Sequence, residues 1–561
     1  MQYKYLLQYK IFENFKMFIN ALKKIHYLAN SSSLKKFIRH NLLVFDVNII
    51  NQRDRKNTKI ALFELNYMHS SLIAYSYLAS AVQSKYGASI VAYNPNYLGG
   101  WVRKSLHRLM KLFQLREYGT YKSFGVNKFI DINPSIQQKI EARILVEKLN
   151  QQIKNKRDIE QIVIRGTWIG DLIYDTYLRR YSKATIELSS KDFREFLVKT
   201  IEIFLYWERY FKDNDVCFIN VSHCVYDLAI PLRIAIGKGI PSSQSSITHV
   251  YRMSNKNYFA YNDFFCFPKI YEELPEDFKS AGIDEAKRRI ERRFAGEVGV
   301  DMGYSTKSAY RLVQNKRLLR KSSKTKILIA THCFFDSPHS YGNNLFPDFY
   351  EWLDYLGKIS LTTDYDWYLK THPDSLPGNM RILEDFINQY PKFSLLPPDS
   401  SHHQIIADGL DVALTVYGTI GFEYAALGVP IINCSINNPH IAYDFNHHPK
   451  SVDEYRDLLL NLDNLKLNID KKQVYEYYFM RNIYNTENLF FNNYNSVINE
   501  LGGYSMQFTD AVYDKWLSEW TYDKHESLLK AINAFIDSND FRMEYRHFGR
   551  PLTLKSLGLA L

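Results

Sequence analysis

Two short stretches of this 561-residue chain carry residue types suited to holding an anion. The first, Lys370-Thr371-His372-Pro373-Asp374-Ser375, follows an apolar run, Trp367 to Thr371, with the pattern of a strand, so that the proline holds His372 and the neighbouring Lys370 at a sheet's carboxyl edge. The second reads TVYGTIGFEYAALGVPII, Thr415 to Ile432. Here a strand through Val416 breaks at Tyr417-Gly418-Thr419, and helical spacing runs from Ile420 to the stop at Gly428. A glycine turn opening a helix offers unpaired N–H groups and the positive helix pole to a phosphate. Gly418 and Gly421 let a ligand approach the backbone, and Thr419 either caps the helix or donates its hydroxyl to the anion. Glu423, one turn on from Thr419, is placed to accept from ribose hydroxyls; the plain alternative is an ordinary strand-to-helix turn in which Glu423 complements the helix dipole.

The histidine-proline pair, followed by T-x-x-G-T-x-G-F-E-x-x-x-x-G-x-P, resembles the nucleotide-sugar half of GT-B glycosyltransferases that build bacterial capsule and lipopolysaccharide. It is most similar to capsular transferases using CMP-linked acidic sugars such as Kdo or sialic acid, and the resemblance spans Lys326 to Asn437. It implies that His372 and Tyr417-Gly418-Thr419 hold the donor phosphate, with Pro373, Thr415, Gly421 and Glu423 completing the nucleotide pocket. The chain departs from the pattern in one respect: it has Thr415 and Thr419 where CMP-sugar enzymes often carry serine near the turn.

Elements must bring such residues together, and the chain's rhythm supplies them. From Lys59 onward, KIALFEL, ASIVAYNP, IEQIVIRG and DVCFINVSH read as strands alternating with helical stretches, the pattern of a parallel, doubly wound sheet. Arg165, Asp171, His223, Tyr226 and His249 fall at or just after strand ends, where acceptor-side and catalytic groups are expected. A second set begins with TKILIATHCFFDSPHS, which places His332 and Asp336 on its first loop, facing the other sheet across a cleft. The catalytic candidates are therefore Asp336, His332, Asp171 and His223, with the base or nucleophile left open among them. His332, Asp336 and His339 have a metal-like spacing, but Ser337-Pro338 intervenes, and Asp364 and Asp366 precede a strand instead of ending one; the expectation is a metal-independent site without a cofactor.

The formal charge of +11 favours anionic partners. Lys and Arg are scattered, and no zinc-finger, helix-turn-helix or RNA-binding signature appears, so no nucleic-acid partner is expected. Five cysteines, an odd number without metal spacing, point to a reducing, cytoplasmic setting. The domains expected are a basic amphipathic helix in 1–45, an acceptor-side Rossmann-like domain with linker in 46–320, a nucleotide-sugar domain in 321–500, and a helical tail in 501–561 that, by the resemblance, packs back on the first domain. Within 1–45, Phe15, Phe18, Ile19, Leu22 and Ile25 recur at helical spacing between lysines, without a signal-peptide pattern, so weak peripheral contact with the anionic inner membrane is the expectation. The arginine-rich stretch Ala286 to Lys326 reads as a solvated linker, although a linker beside a GT-B cleft also offers arginines to an anionic substrate.

The reading is an α/β, GT-B protein that transfers a sugar from a nucleotide-activated donor to a surface glycan or glycolipid. The rivals are a CDP-glycerol-type polyol-phosphate transferase and a non-catalytic glycan-binding scaffold.

Overall fold

The computed structural model describes residues 31–45, 59–95, 101–303, 305–311, 317–376, 378–465, 468–485, 489–491, 493–549, 552–557 and Leu559. Apolar runs of five to seven residues, too short for helices and buried on both faces, become the central strands. The first sheet holds β1 (Lys59–Glu64), β2 (Ser89–Asn94), β3 (Val126–Asp131), β6 (Asp215–Val221), β7 (Ser242–Ser245) and β8 (Val250–Met253). Their order is β3-β2-β1-β6-β7-β8, parallel except for β8, which pairs antiparallel at the edge. The second sheet is wholly parallel: β9 (Lys326–Ala330), β10 (Asp366–Lys370), β11 (Phe393–Leu395), β12 (Val412–Thr415) and β13 (Ile431–Asn433), in the order β11-β10-β9-β12-β13. Each order reverses beside its first strand, the doubly wound pattern that opens a crevice at the carboxyl ends. Two Rossmann-like units facing a cleft make this the GT-B arrangement.

The stretch before Asp171 differs from its sequence reading. Val163–Ile164 (β4) and Thr167–Trp168 (β5) form a two-residue antiparallel hairpin outside both sheets, with Arg165 at φ 48 and Gly166 at φ 80 in the turn. The local β propensity is real, but the turn at Arg165-Gly166 reverses the chain before it can reach a sheet.

The segment predicted to touch membranes, residues 15–25, lies outside the described residues. The described N-terminal helix, Ser32–Val44 (α1), is capped by Ser31 and buries Leu34 and Phe37, Phe37 stacking on Tyr513 at 4.0 Å between centroids. The chain returns to the first unit earlier than the expected boundary, with Leu489, Phe490 and Phe491 already in that unit's core. Met543 N–H donates to Val250 O at 2.9 Å and Arg252 N–H to Phe541 O at 2.7 Å, so the returning tail covers the β8 edge. No helix among the described residues is long and apolar enough to cross a membrane.

Candidate functional site

The 18 residues between β9 and the helix Phe349–Thr362 form the loop that joins the two units. Its His339 is buried, with Nδ1 2.5 Å from Asp175 Oδ1 and Nε2 2.7 Å from Glu160 Oε1, both carboxylates of the first unit. Burial opposes charge there, but the two carboxylates outweigh it and raise His339 to about 10, so it is an imidazolium at neutral pH. The loop's Asp348 caps its helix by accepting Glu351 N–H at 2.8 Å and also accepts the Tyr174 hydroxyl at 2.5 Å and the Thr185 hydroxyl at 2.6 Å from the first unit. These bonds fix how the cleft is set, and they remove His339 from any metal-like trio with His332 and Asp336.

Between the carboxyl ends of β9, β10 and β12 lies a cavity of about 480 Å³, roofed by linker residues including Lys307 and Tyr310. His372, Pro373, Lys370, Thr415, Tyr417, Gly418, Thr419, Glu423, His332 and Asp336 all line it; Gly421, Asp171 and His223 do not. Thus Asp336 and the His372 strand end, 36 residues apart in sequence, share one space at the sheet's switch point.

His372 Nδ1 accepts the Asp374 backbone N–H at 3.1 Å. That acceptance places the imidazole proton on Nε2, the nitrogen left to donate into the cavity. Burial pushes the His372 pKa down against the nearby Asp374 and Glu423 charges, which keeps this neutral tautomer at pH 7. Asp374 is itself held by the Thr306 N–H at 2.9 Å and by the Thr306 hydroxyl, tying the linker to the histidine loop. Lys370 is buried with Nζ on Thr371 O at 3.3 Å and Pro398 O at 3.1 Å, and burial lowers it to about 8.

The glycine turn opens its helix at Ile420, where the sequence places it. Its helix, Ile420–Ala426, has only seven residues, and Thr419 makes no capping bond, leaving its hydroxyl without a partner among the described residues. Thr415 Oγ1 accepts the Gly418 N–H at 3.2 Å and lies 3.2 Å from His332 Nε2, so it closes the turn. Gly421 is needed for packing: a Cβ there would sit 2.4 Å from His440 Cε1, behind the turn and away from a ligand.

Glu423 lines the cavity with each carboxylate oxygen already holding one partner. Its Oε1 pairs with Arg293 and its Oε2 accepts the Tyr310 hydroxyl at 2.8 Å. Arg293 belongs to the linker helix Glu276–Phe294, so this part of the linker is buried against the cavity instead of solvated. The spacing of RRIERR contained the signal: Arg289 and Arg293 are one turn apart and share a face, on which Arg289 meets Asp301 at 2.8 Å.

Of the catalytic candidates, Asp171 is overturned by its surroundings. It is 2 % exposed and bonded to Arg233, Nη2 to Oδ2 2.5 Å and Nη1 to Oδ1 3.3 Å, because it sits on the helix Gly170–Tyr181 behind the hairpin and not at a sheet strand's end. His332 is stacked on Phe349 at 4.6 Å with Nε2 facing the Val416 and Tyr417 N–H groups, and burial lowers it to about 4. It is neutral and braces the β9 and β12 ends, which does not suit a proton carrier near pH 7. Asp336 is exposed at the cleft, its Oδ1 accepting the Tyr226 hydroxyl from the first unit at 2.6 Å. His223 is exposed near it; burial of its surroundings lowers its pKa, opposed by the Asp336 charge. Tyr226 adopts φ 61, ψ 179, a region held essentially by glycine, and such strain at a cleft marks a functional candidate.

No family model matches the chain, and no curated protein matches it. Among solved structures, it is similar to a UDP-GlcNAc 2-epimerase from Neisseria meningitidis bound to UDP-GlcNAc (11% identity, 79% of this chain and 98% of that one, TM-score 0.22). It is also similar to a glycosyltransferase from Rickettsia africae (10%, 83% and 100%, TM-score 0.22) and to the E. coli ADP-heptose LPS heptosyltransferase II (11%, 72% and 100%, TM-score 0.20). At these TM-scores none of them decides the role of any residue here.

Proposed function

We propose that the chain is a glycosyltransferase that binds a nucleotide-activated sugar in the cavity between β9, β10 and β12 and transfers the sugar to an acceptor entering from the first unit. The observation that carries this reading is the His372 tautomer: a neutral imidazole whose Nδ1 is occupied by Asp374 N–H presents Nε2–H to a cavity at the sheet's switch point. A phosphate oxygen placed there accepts from Nε2–H and from the Thr419 hydroxyl, and Lys307 and Lys370 add positive potential. As the sugar–phosphate bond breaks, negative charge grows on the leaving phosphate, and fixed donors then stabilise the transition state more than the ground state. Arg293, held by Glu423, shapes the wall beside it.

Asp336, exposed at the cleft, takes the role of base or nucleophile, with Tyr226 and His223 of the first unit around it. The donor is a CMP-linked acidic sugar such as Kdo, and the acceptor a bacterial surface glycan or glycolipid; the resemblance around His372 and Thr419 supports the donor. The test is a turnover assay with CMP-Kdo, CMP-N-acetylneuraminate, CDP-glycerol and UDP-GlcNAc. Release of CMP that depends on His372 and Asp336 supports the reading, turnover of CDP-glycerol alone replaces it with polyol-phosphate transfer, and absence of turnover with all four contradicts it.

A further inference from the structure

The cavity contains a cation that the phosphate-holding groups do not use. Arg481 lies in a π-helical turn, Met480–Tyr484, that continues the helix Lys471–Phe479. A π turn inserts one residue and re-aims the side chains after it, and such turns recur at functional sites. Here it delivers the Arg481 guanidinium to the cavity wall beside Tyr341 and Tyr417. No carboxylate lies within 4.0 Å of Arg481 among the described residues, and its bond to Tyr341 Oη is long, 3.5 Å. Asp263, an acid whose charge bears on it, is already bonded to Arg542 at 2.9 Å. By contrast Arg293, on the same cavity, has its own carboxylate in Glu423.

Arg481 also stands apart from His372. The two reach the cavity from different elements, His372 from the end of β10 and Arg481 from the π turn. A planar guanidinium with donors open to a cavity is built for a bidentate oxyanion. We propose that Arg481 binds a second oxyanion of the donor, additional to the phosphate received by His372. This rests on the nucleotide-sugar reading of the cavity. Two sources share that chemistry, a carboxylate on the sugar and a second phosphate, and the donor class follows from which of them Arg481 holds.

The experiment measures, by calorimetry on the full chain, dissociation constants of CMP, CDP, CMP-N-acetylneuraminate and inorganic pyrophosphate for the wild type, Arg481→Gln and Arg481→Lys, with melting temperatures to confirm folding. Arg481→Gln is expected to leave CMP unchanged and to weaken a doubly anionic ligand by about tenfold or more, with partial recovery in Arg481→Lys. Selective loss of CMP-N-acetylneuraminate identifies a sugar carboxylate, and selective loss of CDP a second phosphate. Equal loss for CMP, or no loss for any ligand in folded variants, overturns the inference while the nucleotide pocket stands. If no nucleotide binds but pyrophosphate does so through Arg481, the nucleotide reading falls and the anion site remains; if pyrophosphate fails as well, both fall.

Discussion

The Tyr226 hydroxyl of the first unit reaches across the cleft to Asp336 Oδ1 of the second, 2.6 Å away, from a backbone at φ 61 and ψ 179. A tyrosine held in that region costs about 1–3 kcal/mol, so the fold maintains a strained residue where the two units meet. The bond orients the one exposed carboxylate among the four catalytic candidates.

Tyr226→Phe therefore removes an orienting bond to a charged acceptor while leaving the nucleotide pocket intact. kcat/KM for sugar transfer should fall by about tenfold, the equivalent of 1.4 kcal/mol, with nucleotide affinity unchanged. Asp336→Asn should reduce turnover further and also leave nucleotide affinity unchanged. Steady-state kinetics beside a nucleotide-binding measurement checks both; an Asp336→Asn enzyme with wild-type turnover removes Asp336 from the chemistry.

The His339 clamp gives a pH dependence of definite sign. Its folded pKa, about 10, lies above the ordinary histidine value, so its contribution to stability is fully present below about 6.5 and is lost as pH rises from there towards 10. His249, lowered by burial to about 3, and His332, lowered by burial to about 4, act oppositely: they stabilise above about 6.5 and lose that contribution as pH falls towards 4. Melting temperatures from pH 4 to 10 should show a decline on both sides. His339→Gln should flatten the alkaline side while lowering stability at pH 7, because Asp175 stays buried without its cation while Glu160 keeps only Arg157. An unchanged alkaline slope in that variant would count against the clamp.

Much of this architecture was legible in the chain. Runs such as KILIA and DWYLK are apolar, short and bounded by turn residues, and they form neighbouring parallel strands whose ends carry His332 and His372. The hairpin at Val163–Trp168 was not legible, because IVIR has strand composition and only the chain reversal at Arg165-Gly166 keeps it out of the sheet. Nor were the pairings across the units, such as His339 with Asp175, separated by 164 residues, since no local period encodes them. Glu423 lines the cavity wall, yet its partner Arg293 lies 130 residues away in a stretch that reads as solvated. Arg481 escaped because the π turn that aims it has no sequence signature.

Asp171 and Arg233 are a buried ion pair outside the cavity lining, each no more than 2 % exposed. Asp171→Asn leaves Arg233 uncompensated, and the expected cost is about 3–5 kcal/mol of unfolding free energy. The folded fraction should bind nucleotide normally. Denaturant unfolding together with a binding titration checks this, and a stable variant with lost binding would return Asp171 to the site.

Arg293 and Glu423 form one unit of the cavity wall, so their substitutions should not add. Arg293→Gln, Glu423→Gln and the double variant should show a coupling of about 0.5–3 kcal/mol in nucleotide affinity. Additive losses would mean that each residue meets the ligand separately.

The central claim is that His372 donates from Nε2 to the nucleotide phosphate. Calorimetric titration of CMP into the wild type, His372→Ala and His372→Gln tests it most directly, because the glutamine amide can place a donor near the Nε2 position and alanine cannot. The account predicts that His372→Ala weakens CMP binding by about ten- to hundredfold, the loss of a hydrogen bond to a charged group, that His372→Gln recovers part of it, and that melting temperatures stay close to the wild type. Wild-type affinity for CMP in a folded His372→Ala protein would contradict it.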